Sequence, residues 1–195
     1  MRANNVPDWY IASCKKIKYM FPKAHAAAYV MSAIRLGWYK IYHPIAFYAA
    51  MLTVAPAGFD ADIAMKGKNF VWDTWHQIEE MGKEATPKEQ AMIPTLQLTS
   101  EYYARGFKFL PVSLSKSDSK AFLPEDGKIR LPFSSLPGLG ENAAKNIIKA
   151  REEAEFFSVE DLQIRAKLTK AVIQILRDSG VLDELDETNQ LTFNF

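Results

Sequence analysis

The run Leu136-Pro137-Gly138-Leu139-Gly140, with the helix that follows it, constrains the fold of this chain more than any other feature of its sequence. Two glycines one residue apart leave the backbone bare at both positions, and glycine adopts a positive φ without steric cost. Apolar residues at helical spacing predict a helix over residues 141–150, with Lys145 and Lys149 on another face. The apolar positions are Ala143, Ala144, Ile147 and Ile148.

This pattern resembles a helix-hairpin-helix element, which grips duplex DNA through its phosphates and reads no sequence. The bare turn lets backbone amides approach a phosphate, and the amides and dipole of the helix N-terminus favour the same anion. The predicted DNA-binding residues are Gly138, Leu139, Gly140, Lys145 and Lys149. The alternative is an ordinary tight turn with no ligand.

Composition limits the class of protein to which this chain can belong. A chain of 195 residues suits one or two domains, and its 48% hydrophobic and 12% aromatic content predicts a folded protein. Cys14 is the only cysteine, which excludes disulfides and cysteine metal sites within the chain. No apolar run reaches the length of a membrane span and the N-terminus lacks the apolar core of a signal peptide, so a cytoplasmic protein without membrane partners is expected.

Charge is unevenly distributed along the chain, although the net charge is only +1. Residues 1–40 carry seven lysines and arginines against one acidic residue, whereas residues 152–195 carry ten acidic residues against four basic ones. The basic end favours a phosphate-bearing partner. The alternative is solvated surface charge.

Two prolines divide the N-terminal half into helices. A short helix is predicted from Trp9 to Lys18, and Pro22 suits the first turn of a longer one, from about Lys23 to Tyr42. His25 and Tyr29 share one face of that helix. Pro44 then opens another apolar helix.

The run Lys15-Lys16-Ile17-Lys18-Tyr19-Met20-Phe21-Pro22-Lys23-Ala24-His25-Ala26-Ala27-Ala28-Tyr29 closely resembles the fingers of the PolC-type bacterial DNA polymerase III alpha subunit. His43-Pro44 and the order of later elements fit the same family. The resemblance covers nearly the whole chain and corresponds to the C-terminal portion of that polymerase.

The resemblance implies that Phe21, Lys23, His25 and Tyr29 line the pocket for the incoming nucleotide. Lys23 could face the triphosphate, His25 could donate a hydrogen bond, and an aromatic ring could stack on a base. Taken alone, a histidine beside alanines favours a structural role, and Tyr29 a place in the core.

No catalytic or metal-binding residue is predicted in this chain. Asp60 and Asp62 form a tempting carboxylate pair, but two carboxylates alone do not make a metal site, and an acidic loop is the better interpretation. The resemblance places the metal-binding aspartates in a palm that no segment here resembles. It therefore implies Mg²⁺ in the full-length enzyme and no polymerase activity for this chain alone.

Residues 107–133 change to short extended segments around the turn sequence Pro124-Glu125-Asp126-Gly127. Before them, Thr86-Pro87-Lys88-Glu89 predicts a capped helix start, with Pro94 at a kink or break. Four basic residues of this region would add to the phosphate surface: Lys116, Lys120, Lys128 and Arg130. After the hairpin, Ser158 and Thr169 are predicted N-caps of helices that buttress it.

The tail after Asp186 is predicted to bind a partner as an extended peptide, because its apolar residues alternate. It resembles the six-residue form of the bacterial sliding-clamp motif. Gln190 is the polar anchor, and Leu191, Phe193 and Phe195 are the apolar plugs. The alternative is a frayed tail.

These patterns predict a mainly α chain. Residues 1–106 form the end of the polymerase fingers, 107–185 a small α+β duplex-binding domain with the helix-hairpin-helix at 131–157, and 186–195 the clamp-binding tail. The implied function is DNA-templated DNA synthesis from deoxynucleoside triphosphates (dNTPs), with primer-template duplex, dNTP, sliding clamp and the remaining polymerase chain as partners at the replisome. The alternatives are a non-enzymatic DNA-binding and clamp-docking accessory protein, and a helical interaction domain.

Overall fold

The computed structural model describes residues 1–17, 22–54 and 58–188. The helices are α1 (Asp8–Lys16), α2 (Lys23–Tyr42), α3 (Pro44–Val54), α4 (Ala61–Met65), α5 (Lys68–Met81), α6 (Pro87–Ala104), α7 (Glu141–Glu153), α8 (Val159–Arg165) and α9 (Lys170–Asp178). The strands are β1 (Phe109–Leu110), β2 (Leu123–Glu125) and β3 (Lys128–Arg130), and short 3-10 turns occupy Arg2–Asn4, Gly82–Glu84 and Phe133–Ser135. The predicted mainly α class with a small α+β part is confirmed.

The chain divides into two compact units, Met1–Tyr42 and His43–Phe195. The first contains α1 and α2, whose predicted bounds agree with the structure to within two residues. No described residue of either helix is buried. Because α2 is apolar around most of its circumference, its composition is that of a helix surrounded by protein.

The second unit holds a three-stranded sheet in the order β1-β3-β2. Strand β1 pairs with β3 in parallel, and β2 pairs with β3 antiparallel, with Pro124 opposite Ile129. Asp126 and Gly127 join β2 to β3 with φ values of 49° and 74°. Positive φ at both central residues matches the twist of the two strands, which explains the predicted turn.

Helices α5 and α6 pack as a pair on a small apolar cluster that includes Val71 and Met92. The capping box at the start of α6 is confirmed, with the Thr86 hydroxyl accepting from Glu89 N–H and the Glu89 carboxylate accepting from Thr86 N–H. Pro94 is exposed and lies inside α6, so the helix has no break there.

The main core joins α3 and α4 to the sheet and to α7, α8 and α9. Tyr48 of α3 and Tyr102 of α6 are fully buried in it, and the Tyr102 hydroxyl donates to the Lys108 carbonyl at 2.8 Å. Packing therefore continues across residues 106 and 107. The domain boundary that the sequence analysis placed between residues 106 and 107 stays a prediction about function.

Asp60 is the N-cap of α4, because one of its carboxylate oxygens accepts from the Asp62 and Ile63 amides at 2.9 and 3.3 Å. The prediction of an acidic loop was wrong for this segment. Its carboxylate starts a helix, and Asp62 lies exposed in the first turn.

Candidate nucleic-acid interface

The predicted hairpin forms as a tight turn held by two buried leucines. Leu136 and Leu139 are 4% and 5% exposed, and the Leu139 N–H donates to the Leu136 carbonyl at 3.1 Å. Gly138 has a φ of 86°, which glycine adopts without strain. The leucines anchor the turn while Pro137, Gly138 and Gly140 remain exposed.

Gly140 is the N-cap of α7 and has an ordinary φ of −72°. A Cβ built on Gly140 would meet no atom within 4 Å, so the fold itself does not require glycine there. Because glycine has no side chain to cap with, the first amides of α7 receive no side-chain hydrogen bond. An Asp, Ser or Thr side chain caps each of α4, α6, α8 and α9, whereas α5, like α7, begins after a glycine, Gly67, that gives no side-chain cap. Uncapped amides at a helix N-terminus suit an anion.

Helix α7 turns its apolar face inward and its lysines outward. Ala144 and Ile147 are fully buried, whereas Lys145 and Lys149 are exposed. The Lys145 ammonium pairs with the Glu141 carboxylate at 2.6 Å and lowers the pKa of that carboxyl. In this structure Lys145 is therefore already paired, and Lys149 has no ion-pair partner among the described side chains.

A second hairpin, which the sequence did not reveal, repeats this geometry between α8 and α9. Lys167 has a φ of 52°, Leu168 is 7% exposed, and Thr169 caps α9 with φ and ψ of −74° and 157°. Gly140 caps α7 with nearly the same angles, −72° and 155°. A positive-φ residue, a buried leucine and an extended N-cap thus precede both helices, and Lys167 and Lys170 stand exposed at the second.

The two hairpins are in contact. A Cβ built on Gly138 would lie 3.0 Å from the Ile175 Cδ1 atom of α9. The predicted N-caps Ser158 and Thr169 are confirmed, since each side chain accepts an amide of the helix it precedes. The segment expected only to support the first hairpin therefore presents a hairpin of its own.

Two arginines hold α7 in place. The Arg165 guanidinium donates to the carbonyls of Ala150, Ala154 and Glu155, where α7 ends, and it pairs with Asp161 at 3.0 Å. The Ala150 carbonyl also accepts the Ala154 N–H, whereas the Ala154 and Glu155 carbonyls lie beyond the last helical residue, and the arginine donates to all three. Arg151 donates to the Leu114 and Ser117 carbonyls at 2.8 and 2.9 Å. Helical periodicity cannot predict the hydrogen bonds of either arginine to these carbonyls.

Arg130 has a structural role in this fold. Its guanidinium is nearly buried, meets the Glu125 carboxylate with two hydrogen bonds of 2.8 Å, and donates to the Pro111 carbonyl at 2.9 Å. Lys116 pairs with the same carboxylate at 2.9 Å. Hydrogen bonds from Arg130 and Lys116 lower the pKa of Glu125 to about 2. Of the basic residues expected to extend the phosphate surface, Lys120 and Lys128 lie exposed without such an ion pair.

The predicted nucleotide residues belong to the first unit. Lys23, His25 and Tyr29 are exposed on α2, and the His25 and Tyr29 rings lie 4.6 Å apart, edge to face. Phe21 lies outside the described residues. The tail residues Gln190, Leu191, Phe193 and Phe195 also lie outside them.

Within the described ranges, no group of three His, Cys, Asp or Glu side chains is placed to hold a metal ion. Among the same residues, no helix combines the length and apolar character that a membrane crossing requires.

Sequence comparisons with known proteins point to the same motif. The family model for the helix-hairpin-helix motif matches residues 106–191. The chain is similar to proteins named DNA polymerase III PolC-type, with 47% identity to that of Bacillus subtilis, 45% to that of Clostridium perfringens and 47% to that of Listeria innocua. Each alignment covers 98% of this chain and 13% of the relative, so the chain spans about an eighth of their length. The resemblance identified from the sequence is confirmed.

Proposed function

This chain is homologous, over nearly its whole length, to a segment of the PolC-type DNA polymerases III, and from that premise we propose that it is the C-terminal portion of a replicative DNA polymerase. Its part in DNA-templated synthesis is to hold the primer-template duplex near the active site. The work takes place in the cytoplasm, at the replisome.

One observation supports the duplex grip above all others: the uncapped N-terminus of α7 behind the exposed Gly138–Gly140 turn. Backbone amides and a positive helix end attract a phosphate of any nucleotide, which gives binding without sequence preference. Lys149 is exposed farther along α7, about two and a half helical turns after Gly140, and Lys167 and Lys170 flank the second hairpin. Two hairpins that each place an extended N-cap after a positive-φ residue could hold two phosphates of one duplex.

Duplex binding measured by fluorescence anisotropy over a salt series tests the grip. We expect Lys149→Ala to weaken binding several-fold and to reduce the slope of log K against log salt by about 1, because one phosphate contact is lost. Gly140→Ala should weaken binding without unfolding the protein, since its Cβ intrudes only on the ligand side.

The matched control is Lys88→Ala, which removes an exposed lysine from the first turn of α6. It should leave the affinity and slope nearly unchanged. Equal losses in Lys88→Ala and Lys149→Ala would mean that the chain attracts DNA only through its total charge. No affinity at low salt in the folded chain would exclude the grip.

We also propose that Phe21, Lys23, His25 and Tyr29 contact the incoming nucleotide. The exposed His25 and Tyr29 rings stand together on α2, as a surface for a base or phosphate requires. Mg²⁺ would supply Lewis-acid chemistry in the complete enzyme through carboxylates outside this chain.

Primer extension tests both of these statements. The isolated chain should extend no primer in the presence of Mg²⁺ and dNTPs, because it lacks the palm. In the complete polymerase, His25→Ala should raise the KM for dNTP more than it changes the affinity for duplex. An unchanged KM would exclude His25 from the pocket.

The third part of the proposal is a tether to the sliding clamp through Gln190, Leu191, Phe193 and Phe195. A short peptide at the end of the duplex-binding unit would raise the effective concentration of the polymerase at the primer end. A synthetic peptide of residues 186–195 should compete with the whole chain for the clamp.

A further inference from the structure

The chain leading into the tail is fixed to the start of α8. The Val159 N–H donates to the Asp186 carbonyl at 2.8 Å, and the Glu160 N–H donates to the Glu187 carbonyl at 3.1 Å. The Glu187 carboxylate also pairs with Arg177 of α9. The point from which the tail departs is therefore set by backbone hydrogen bonds.

The tail motif begins close to this point. Gln190 is three residues after Glu187, and an extended chain spans at most about 3.6 Å per residue, or about 11 Å here. A protein that holds Gln190 in a pocket must come that close to the N-terminus of α8. That partner protein then lies close to the side chains that are exposed around the start of α8.

Phe157 is the apolar side chain at this place. Ser158 is paired with Asp186, and Phe157 precedes it by one residue. A residue immediately before an N-cap ordinarily packs onto the fourth helical residue, which here is Leu162. Leu162 is fully buried, yet Phe157 is 75% exposed, and its neighbour Phe156 packs beneath the Arg165 guanidinium at 4.9 Å. The Phe157 side chain therefore contributes little to the packing of the fold.

The charge around Phe157 disfavours DNA as its partner. The exposed acidic residues next to this point in the chain are Glu155, Glu160 and Asp186, together with Glu187, which is paired with Arg177. Such a surface repels phosphates. An exposed phenylalanine bordered by acidic residues suits a protein partner, because protein–protein interfaces have an apolar centre and a polar rim.

We propose that the sliding clamp held by the tail makes a second contact on Phe157, so that it docks against the start of α8 as well as on the peptide. This inference rests on the clamp-binding function proposed above. The contact fixes the direction in which the ring leaves the duplex-binding unit.

The experiment measures the affinity of a bacterial sliding clamp for the 195-residue chain, for Phe157→Ser and for the synthetic peptide 186–195. Phe157 is exposed, so the variant should fold as the parent. We expect the chain to bind more tightly than the peptide, and Phe157→Ser to lose about tenfold, as for a central contact residue. Phe70→Ser, which removes a phenylalanine that is 40% exposed on α5, is the matched control and should bind as the parent does.

Each other outcome is decisive. Equal clamp affinity for the parent and Phe157→Ser, with the peptide still competing, would overturn the second contact and leave the tether intact. No clamp binding by either the chain or the peptide would overturn the tether, and the second contact with it. A loss of duplex binding in Phe157→Ser with unchanged clamp binding would identify DNA as the occupant and exclude this proposal.

Discussion

At the scale of single residues, the arginines and the lysines of this fold serve different purposes. Arg130, Arg151 and Arg165 each donate hydrogen bonds to carbonyls far from them in sequence, and none is fully exposed. The lysine side chains at the two hairpins are exposed to solvent. The planar arginine guanidinium has several donors in fixed directions and suits partners at fixed positions. The lysine ammonium, at the end of a flexible side chain, suits a nucleic-acid backbone whose phosphates can lie at different positions along the surface.

Glu125 should make stability depend on pH. The pKa of its carboxyl falls from an ordinary 4.5 to about 2 in the folded state, so its contribution is fully present above pH 4.5 and is lost as pH falls towards 2. Glu125→Gln should lower the urea midpoint at pH 7, and the difference from the parent should shrink below pH 4.5.

Urea unfolding at a series of pH values measures this difference. Gln77→Ala, an exposed and uncharged change on α5, should keep the pH profile of the parent. A difference between the parent and Glu125→Gln that stays constant from pH 7 to pH 2 would contradict the assigned ion pair.

At the scale of elements, the two hairpins share an order of backbone conformations, a positive-φ residue followed by a buried leucine and an extended N-cap, but are built from different residues. Gly138 and Gly140 occupy the positions that Lys167 and Thr169 fill in the second hairpin. The first therefore leaves its helix uncapped, and the second caps its helix with a threonine hydroxyl. We infer that the first hairpin is the stronger anion site and that the second contributes mainly positive side chains.

The glycines of the first hairpin should differ in their effect on stability. Gly138→Ala places a side chain at a φ of 86° with its Cβ 3.0 Å from Ile175 Cδ1, which should cost about 1–2 kcal/mol. Gly140→Ala meets open space at an ordinary φ and should change the free energy of unfolding by less than about 0.5 kcal/mol. Chemical denaturation of both variants checks this, and equal losses would contradict the described turn.

At the scale of the whole molecule, the chain consists of two compact units, for which we propose separate tasks. The described residues of both apolar clusters lie between residues 43 and 188. The proposed nucleotide contacts lie in the first unit, and the hairpins lie in the second. A segment that spans 13% of its relatives can therefore carry a duplex grip on a core of its own.

A chain that begins at His43 should keep the fold of the second unit. Because the described core residues remain, we expect its urea unfolding midpoint to equal that of the full chain, and its circular dichroism to retain the signals of packed aromatic residues. Duplex binding should persist with a smaller salt slope, because the basic residues of the first 40 positions are gone. A chain from His43 that fails to unfold cooperatively would contradict the division.

Local features of this fold were determined by the sequence alone. The Gly138–Gly140 turn, the capping box at Thr86, the N-caps at Ser158 and Thr169 and the bounds of α2 all follow from residues within about four positions of each other, where capping and helical periodicity act. The homology to PolC-type polymerases was also evident from contiguous residues.

Only the tertiary structure decided the rest. Lys167 adopts a positive φ that lysine does not signal in sequence, so the second hairpin was missed. Arg130 and Arg165 are committed to carbonyls and carboxylates that packing brings to them. The position of Phe157 beside the start of the tail depends on hydrogen bonds between residues 159–160 and 186–187, a pairing that no local pattern specifies.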